Sequence, residues 1–358
     1  MNVAQRNERA KQYVIDKLDL ASDFTESDFQ NIPNYDYIKS ILLALIFVPA
    51  KGFRGVVATA ITGKYLNPNY DPLNDFYSCN PRSIFEQGIF YAFENRIPCG
   101  KSDPLNVAKN INVLDDAWAK GKRPQASAQA AVDYLHCIEA ASNEEQEDLI
   151  NYFFFKLVEY ANSIASIQII VPDQQELANQ VSANKLLEFV LRFPESGTIP
   201  QLVVSKLMKK LYSTSTVVVE GGDESVFGTN TTSKKPADIW LESSNTPYNL
   251  FEVTVKKIDA KRLDDCIQSL HSVGMLEKQV SFVCRIPEDI NSLSGVQNGA
   301  LNYKGKQFNF VEIRSFILSM MAFLSAQEVH EVMLELQSFI SQIERPITTR
   351  NGWNSIFC

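Results

Sequence analysis

The chain has 358 residues, 45% of them apolar and 11% aromatic, enough to bury a core across two domains, and this composition excludes a disordered chain. Its most apolar run, Ile41–Val48, is far shorter than the roughly 20 residues a membrane span needs, and Met1–Arg6 has no secretory pattern, so the expected setting is the cytoplasm with no membrane partner. The net charge of −8 excludes a uniformly basic chain, but DNA contact needs only a local basic face, and a metal site itself adds negative charge.

Apolar spacing near 3.6 predicts helices over 7–20, 35–47, 84–95, 106–120, 127–141 and 143–164, making residues 1–165 a helical domain. Ser142 or Asn143 before a Glu-rich turn, and Ser102-Asp103-Pro104, read as helix starts. The polar stretch Lys64–Ser83 reads as a long connection of the kind that often carries function. From 166 to 358 the character changes to an α/β (α+β) core with a mixed sheet flanked by helices. A β-like run at 167–171 precedes helices over 173–192 and 200–212. Strands are expected over 216–219, 237–241 and 250–255, then a helix over 259–275, a strand over 280–285, and one or two helices over 313–343.

Six cysteines show no ligand spacing and read as free thiols, and three scattered histidines neither pair with them in a zinc pattern nor suggest a catalytic triad. Gly100-Lys101-Ser102 lacks the upstream glycine and strand of a phosphate loop. Basic residues gather at Lys51/Arg54/Lys64, Lys120/Lys122/Arg123, Lys234/Lys235 and Lys256/Lys257/Lys261/Arg262; any one cluster is ordinarily a solvated face. The acids Glu220, Asp223 and Glu224 read as a solvated loop cluster.

The segment Lys234–Lys257 carries the chemistry. In Leu250-Phe251-Glu252-Val253-Thr254-Val255-Lys256, alternation puts Phe251, Val253 and Val255 on an apolar face and Glu252, Thr254 and Lys256 on the other. An acid, a hydroxyl and an amine in a row are unusual for core burial. Lys234-Lys235-Pro236-Ala237-Asp238 enters the partner strand, and a hairpin can set Asp238 beside Glu252. Paired carboxylates suit a hard cation such as Mg²⁺, which activates water and stabilises a departing oxygen. The bland alternative is a solvated hairpin with ordinary surface charges.

This pattern, P-x-D, a hairpin and E-x-T-x-K between helices, resembles the catalytic core of the PD-(D/E)XK nuclease superfamily. The resemblance implies that Asp238 and Glu252 are Mg²⁺ ligands. Ala237 separates the proline from the aspartate, and Thr254 stands where lysine is usual. Two alternatives stay open: Lys256, about 7 Å further along the strand, supplies the missing charge, or Thr254 serves with water or metal. An acid from an upstream helix often joins such cores, and Glu188 is the candidate.

The segments Tyr77-Ser78-Cys79-Asn80-Pro81-Arg82-Ser83-Ile84 and Ile97-Pro98-Cys99-Gly100-Lys101-Ser102-Asp103-Pro104-Leu105-Asn106 are dense in donors and loosely resemble the corresponding region of SacI-type restriction endonucleases, which also place a helical domain before the nuclease core. Lys51, Arg54, Arg82 and Lys101, with Lys234, Lys235 and Lys257, are the candidate contacts to double-stranded DNA. The resemblance implies a type II restriction endonuclease, cutting as a homodimer to leave 5′-phosphates, with a cognate DNA methyltransferase encoded nearby. A repair or processing nuclease, or a non-catalytic DNA-binding protein on the same core, are the other readings.

Overall fold

A computed structural model describes residues 2–172, 179–222 and 235–357. The chain divides into two units, residues 1–168 with 342–347, and residues 169–341 with 348–358. No described helix is long and apolar enough to cross a membrane.

The first unit is helical. Its longer helices are α1 (Val3–Ala21), α2 (Tyr35–Ile46), α3 (Gly52–Leu66), α4 (Gln125–Ala140) and α5 (Asn143–Ala165). Reciprocal caps start α1, where Asn2 pairs with Gln5, and α5, where Ser142 pairs with Glu145. Their apolar faces meet in one core that includes Leu18, Leu42, Phe53, Val57, Phe93, Tyr134 and Phe153. The expected helix over 106–120 is instead two short ones, Asp103–Ala108 and Asp116–Lys120. Asn110 is left-handed, which interrupts the first, and the Asp115 carboxylate caps the second by accepting the Trp118 amide.

The second unit is a six-stranded mixed sheet between helices. The strands are β1 (Val218–Gly221), β2 (Ile239–Ser243), β3 (Thr246–Val253), β4 (Gln279–Cys284), β5 (Ala300–Tyr303) and β6 (Lys306–Glu312), in the order β1-β2-β3-β4-β6-β5. The pairs β1–β2, β2–β3 and β5–β6 are antiparallel, while β3–β4 and β4–β6 are parallel. Among the described residues its α-helices are α6 (Asn179–Arg192), α7 (Thr198–Leu211), α8 (Ala260–Ser272), α9 (Ile313–Phe323), α10 (Ala326–Ile340) and α11 (Ile347–Ser355). Ile167–Val171 forms no strand, although Ile170 is held at both backbone polar groups by Asn354 and Trp353.

Strand alternation sorts the sheet's side chains into two cores. Val219, Ile239, Leu241, Val253 and Val283 join α6, α7, α9 and α10 on one face. Leu250, Val280, Phe282, Phe308 and Phe310 meet Leu263, Cys266 and Leu270 of α8 on the other. The crossover helix α8 thus covers the face to which the even-numbered residues of β3 point, and this face carries the site.

Candidate active site

Asp238 lies one residue before β2. Ile239 is opposite Phe251 in the antiparallel ladder, so the next rung outward sets Asp238 opposite Glu252, with both side chains on the α8 face. The Asp238 backbone is fixed from the β1 side. Its carbonyl accepts the Gly222 amide at 2.9 Å, and the Gln201 side-chain amide approaches it at 3.5 Å. The close approach depends on glycine. Gly221 and Gly222 both have φ near +80°, and a Cβ on Gly222 would stand 2.1 Å from Ser205 Cβ, while one on Gly221 would stand 2.3 Å from the Asp238 carbonyl oxygen. Ser205 Oγ completes the clamp by donating to the Gly221 carbonyl.

The Asp238 carboxylate accepts the Val253 amide on Oδ2 at 3.0 Å. Burial pushes its pKa above the ordinary carboxylate value, while that hydrogen bond and the positive charges of Arg262 and Lys235 pull it down. Glu252 is 3% exposed, a cost that a charged carboxylate needs a cation to offset. Arg262, in the first turn of α8, supplies one: its guanidinium donates to Glu252 Oε2 at 2.9 Å. Burial alone would lower the Arg262 pKa; the negative charges of Glu252 and Asp238 outweigh it and raise the value. The guanidinium is thus bonded to Glu252, and its charge is also felt at Asp238. Asp259 fixes its backbone by capping α8 through the Arg262 amide.

Thr254 is buried, and its amide continues the parallel ladder by donating to the Val283 carbonyl. β3 nevertheless ends at Val253, and the chain bends at Val255 and Lys256. Thr254 Oγ1 accepts the Lys256 amide at 3.1 Å within this bend. The expected alternation therefore holds through Val255, which packs with Phe251 and Val253 against the same core, and fails at Lys256, an exposed bend residue rather than the next member of a strand face. Arg285 and Asp289 hold the bend: Arg285 donates to the Val255 carbonyl, its guanidinium is paired to the buried Asp289 carboxylate, and the Asp289 carbonyl accepts the Ile258 amide.

No group of three or more His, Cys, Asp or Glu side chains that could hold a metal ion occurs among the described residues. Glu188 does not join the pair: it is exposed on α6 and ion-paired with Arg192 one turn away. Arg54 is likewise no DNA contact in this structure. Only 1% exposed, it donates to the carbonyls of Ile46, Val48 and Pro98 and stacks on Tyr160, so it joins core segments and presents no charge outward. Lys51 is half-buried and donates to the Glu344 carbonyl. Arg82 is exposed beside Glu86, and Lys101 is exposed against the Phe90 and Tyr91 rings. Lys257 is exposed on the bend, Lys235 is half-buried near Asp238, and Lys234, with Asp223 and Glu224, lies outside the described residues.

Sequence reasoning passed over the Gly221-Gly222 clamp and gave Arg262 no role in the pair. The signals are local: two glycines after a β-branched run, and an aspartate three residues before an arginine at a helix start. No family model matches this chain, and no curated protein matches it.

Proposed function

We propose that this chain is a Mg²⁺-dependent endonuclease of the PD-(D/E)XK type acting on double-stranded DNA, and that it works as a cytoplasmic type II restriction endonuclease. The observation that carries the reading is the opposition of Asp238 and Glu252 across the β2–β3 hairpin, on the face covered by a crossover helix whose Arg262 pairs with Glu252. The donor set suits the cation. Mg²⁺ takes one or two protein carboxylates and fills its remaining positions with water and phosphate oxygens, so a third acid is not required. Asp238 and Glu252 would hold it. When bound, it would lower the pKa of a water and neutralise charge building on the phosphate.

The chain's own residues supply the rest. The Val253 amide orients the Asp238 carboxylate, and the Gly221-Gly222 clamp fixes the backbone behind it. Thr254 Oγ1 holds the bend that displays Lys256 and Lys257 toward solvent, where amines can meet a DNA backbone. Cutting a symmetric site calls for a homodimer, and protection of the host calls for a DNA methyltransferase encoded nearby.

A second reading has an observation of its own. Thr254 stands where a lysine is usual, and Arg262 already neutralises Glu252, an arrangement that also suits a non-catalytic DNA-binding core. Digestion of unmethylated plasmid DNA with Mg²⁺ or Mn²⁺ separates the possibilities. Restriction gives discrete fragments with 5′-phosphates, a processing nuclease gives a smear, and a non-catalytic core binds DNA without cutting it.

A further inference from the structure

We propose that Arg262 is an exchangeable counter-cation: it neutralises the Asp238–Glu252 pair while no metal is bound, yields Glu252 to the metal, and then contacts the DNA phosphate drawn to that metal. The inference rests on the nuclease reading and assigns a role that the motif does not contain.

The asymmetry of the ion pair carries it. The Glu252 side chain is 4% exposed, whereas that of Arg262 is 45% exposed. The carboxylate is fixed in the sheet, and the guanidinium reaches it from the rim, so only the arginine has an open way out. Its backbone cannot follow, because Asp259 pins the first turn of α8. A guanidinium and a divalent cation compete for the same carboxylate oxygens, since both need the negative charge there. Once displaced, a planar fork of N–H donors is suited to a phosphate, which it can meet with two parallel hydrogen bonds. The arrangement also shows what helps a nearly buried glutamate stay in place without metal: the Arg262 guanidinium offsets part of a charge that burial disfavours.

The test measures Mn²⁺ binding by electron paramagnetic resonance on the full-length protein, for the wild type, Arg262→Gln, Arg262→Lys and Asp238→Asn. Arg262→Gln should bind Mn²⁺ about tenfold more tightly, because the competing charge is gone, and Arg262→Lys should stay near the wild type. Thermal melting gives a second readout. Arg262→Gln should lose stability in chelator, and Mn²⁺ should raise its melting temperature by about 2–4 °C more than it raises that of the wild type. DNA binding in Ca²⁺ should weaken for Arg262→Gln and be kept by Arg262→Lys.

Mn²⁺ affinity of Arg262→Gln equal to or weaker than that of the wild type, with no extra thermal gain, overturns the proposal. If Asp238→Asn abolishes Mn²⁺ binding in that same series, the carboxylate site stands and only the role of Arg262 falls. Absence of Mn²⁺ binding in both the wild type and Arg262→Gln overturns the site and the proposal together.

Discussion

Thr254 donates its amide to the Val283 carbonyl and accepts the Lys256 amide on its hydroxyl, so the chain leaves the sheet immediately after the threonine. This limits what Lys256 can do. A lysine on a continuing strand would stand on the Glu252 face; a lysine on an exposed bend faces water and whatever binds there. We therefore expect Lys256→Ala to retain cutting within about tenfold, with the loss concentrated in DNA affinity at raised salt. Steady-state cleavage at two salt concentrations checks this, and abolished cutting at both would return the missing amine to Lys256. Arg54 shows the same distinction between residue type and placement. An arginine beside Lys51 and two glycines reads as a phosphate contact, yet its guanidinium joins carbonyls from two core segments and stacks on Tyr160.

At the scale of elements, the hairpin depends on a contact behind it. β1 ends at Gly221 and Gly222 follows it, both left-handed, and their bare Cα atoms let α7 and the Asp238 backbone approach. Gly222→Ala should cost about 2–4 kcal/mol, because the added methyl meets Ser205 and the backbone conformation is one that alanine resists. Chemical denaturation measures the cost, and a loss under 0.5 kcal/mol, the ordinary range of surface changes, would show that the clamp is loose. Much of this region was legible. Strand signals marked β2, β3 and β4, and the order strand, hairpin, helix, strand followed; the polar stretch 243–247 reads as the turn, which the structure narrows to Ser244-Asn245 because β3 already begins at Thr246. The β5–β6 hairpin was not read, although Lys304 and Gly305, both at positive φ, make a two-residue turn before the alternating Gln307-Phe308-Asn309-Phe310. The ion pair from α8 to β3 was illegible for a physical reason. It joins residues on separate elements, and periodicity assigns each to a face without saying what lies opposite. Glu188 was misassigned on the same ground: an acid on an upstream helix satisfies the pattern, while the packing of α6 leaves it exposed beside Arg192.

For the whole molecule, two units with separate cores imply separate sources of stability. In the first, Glu26 gathers Lys39, Lys156, Tyr35 and Tyr152 around one carboxylate. Burial alone would raise its pKa, but the hydrogen bonds from these four residues outweigh it and lower the value to about 2, from 4.5. A depressed carboxyl stabilises the fold above its ordinary value, and the gain disappears as pH falls from about 4.5 through about 2. After solvent screening it is on the order of 1 kcal/mol. Glu26→Gln should therefore melt below the wild type near pH 6 and close to it near pH 2; an equal gap at both would place the effect outside this carboxyl.

On the proposed reading, a net charge of −8 requires any DNA affinity to come from local basic residues and a bound cation rather than from the overall field. The most direct test of the central claim is a comparison of the wild type with Asp238→Asn on unmethylated double-stranded DNA in Mg²⁺, with the cut ends sequenced. The account predicts discrete fragments bearing 5′-phosphates from the wild type and a loss on the order of 10²–10³ in rate for the variant. Intact DNA with the wild type, or undiminished cutting by Asp238→Asn, would contradict it.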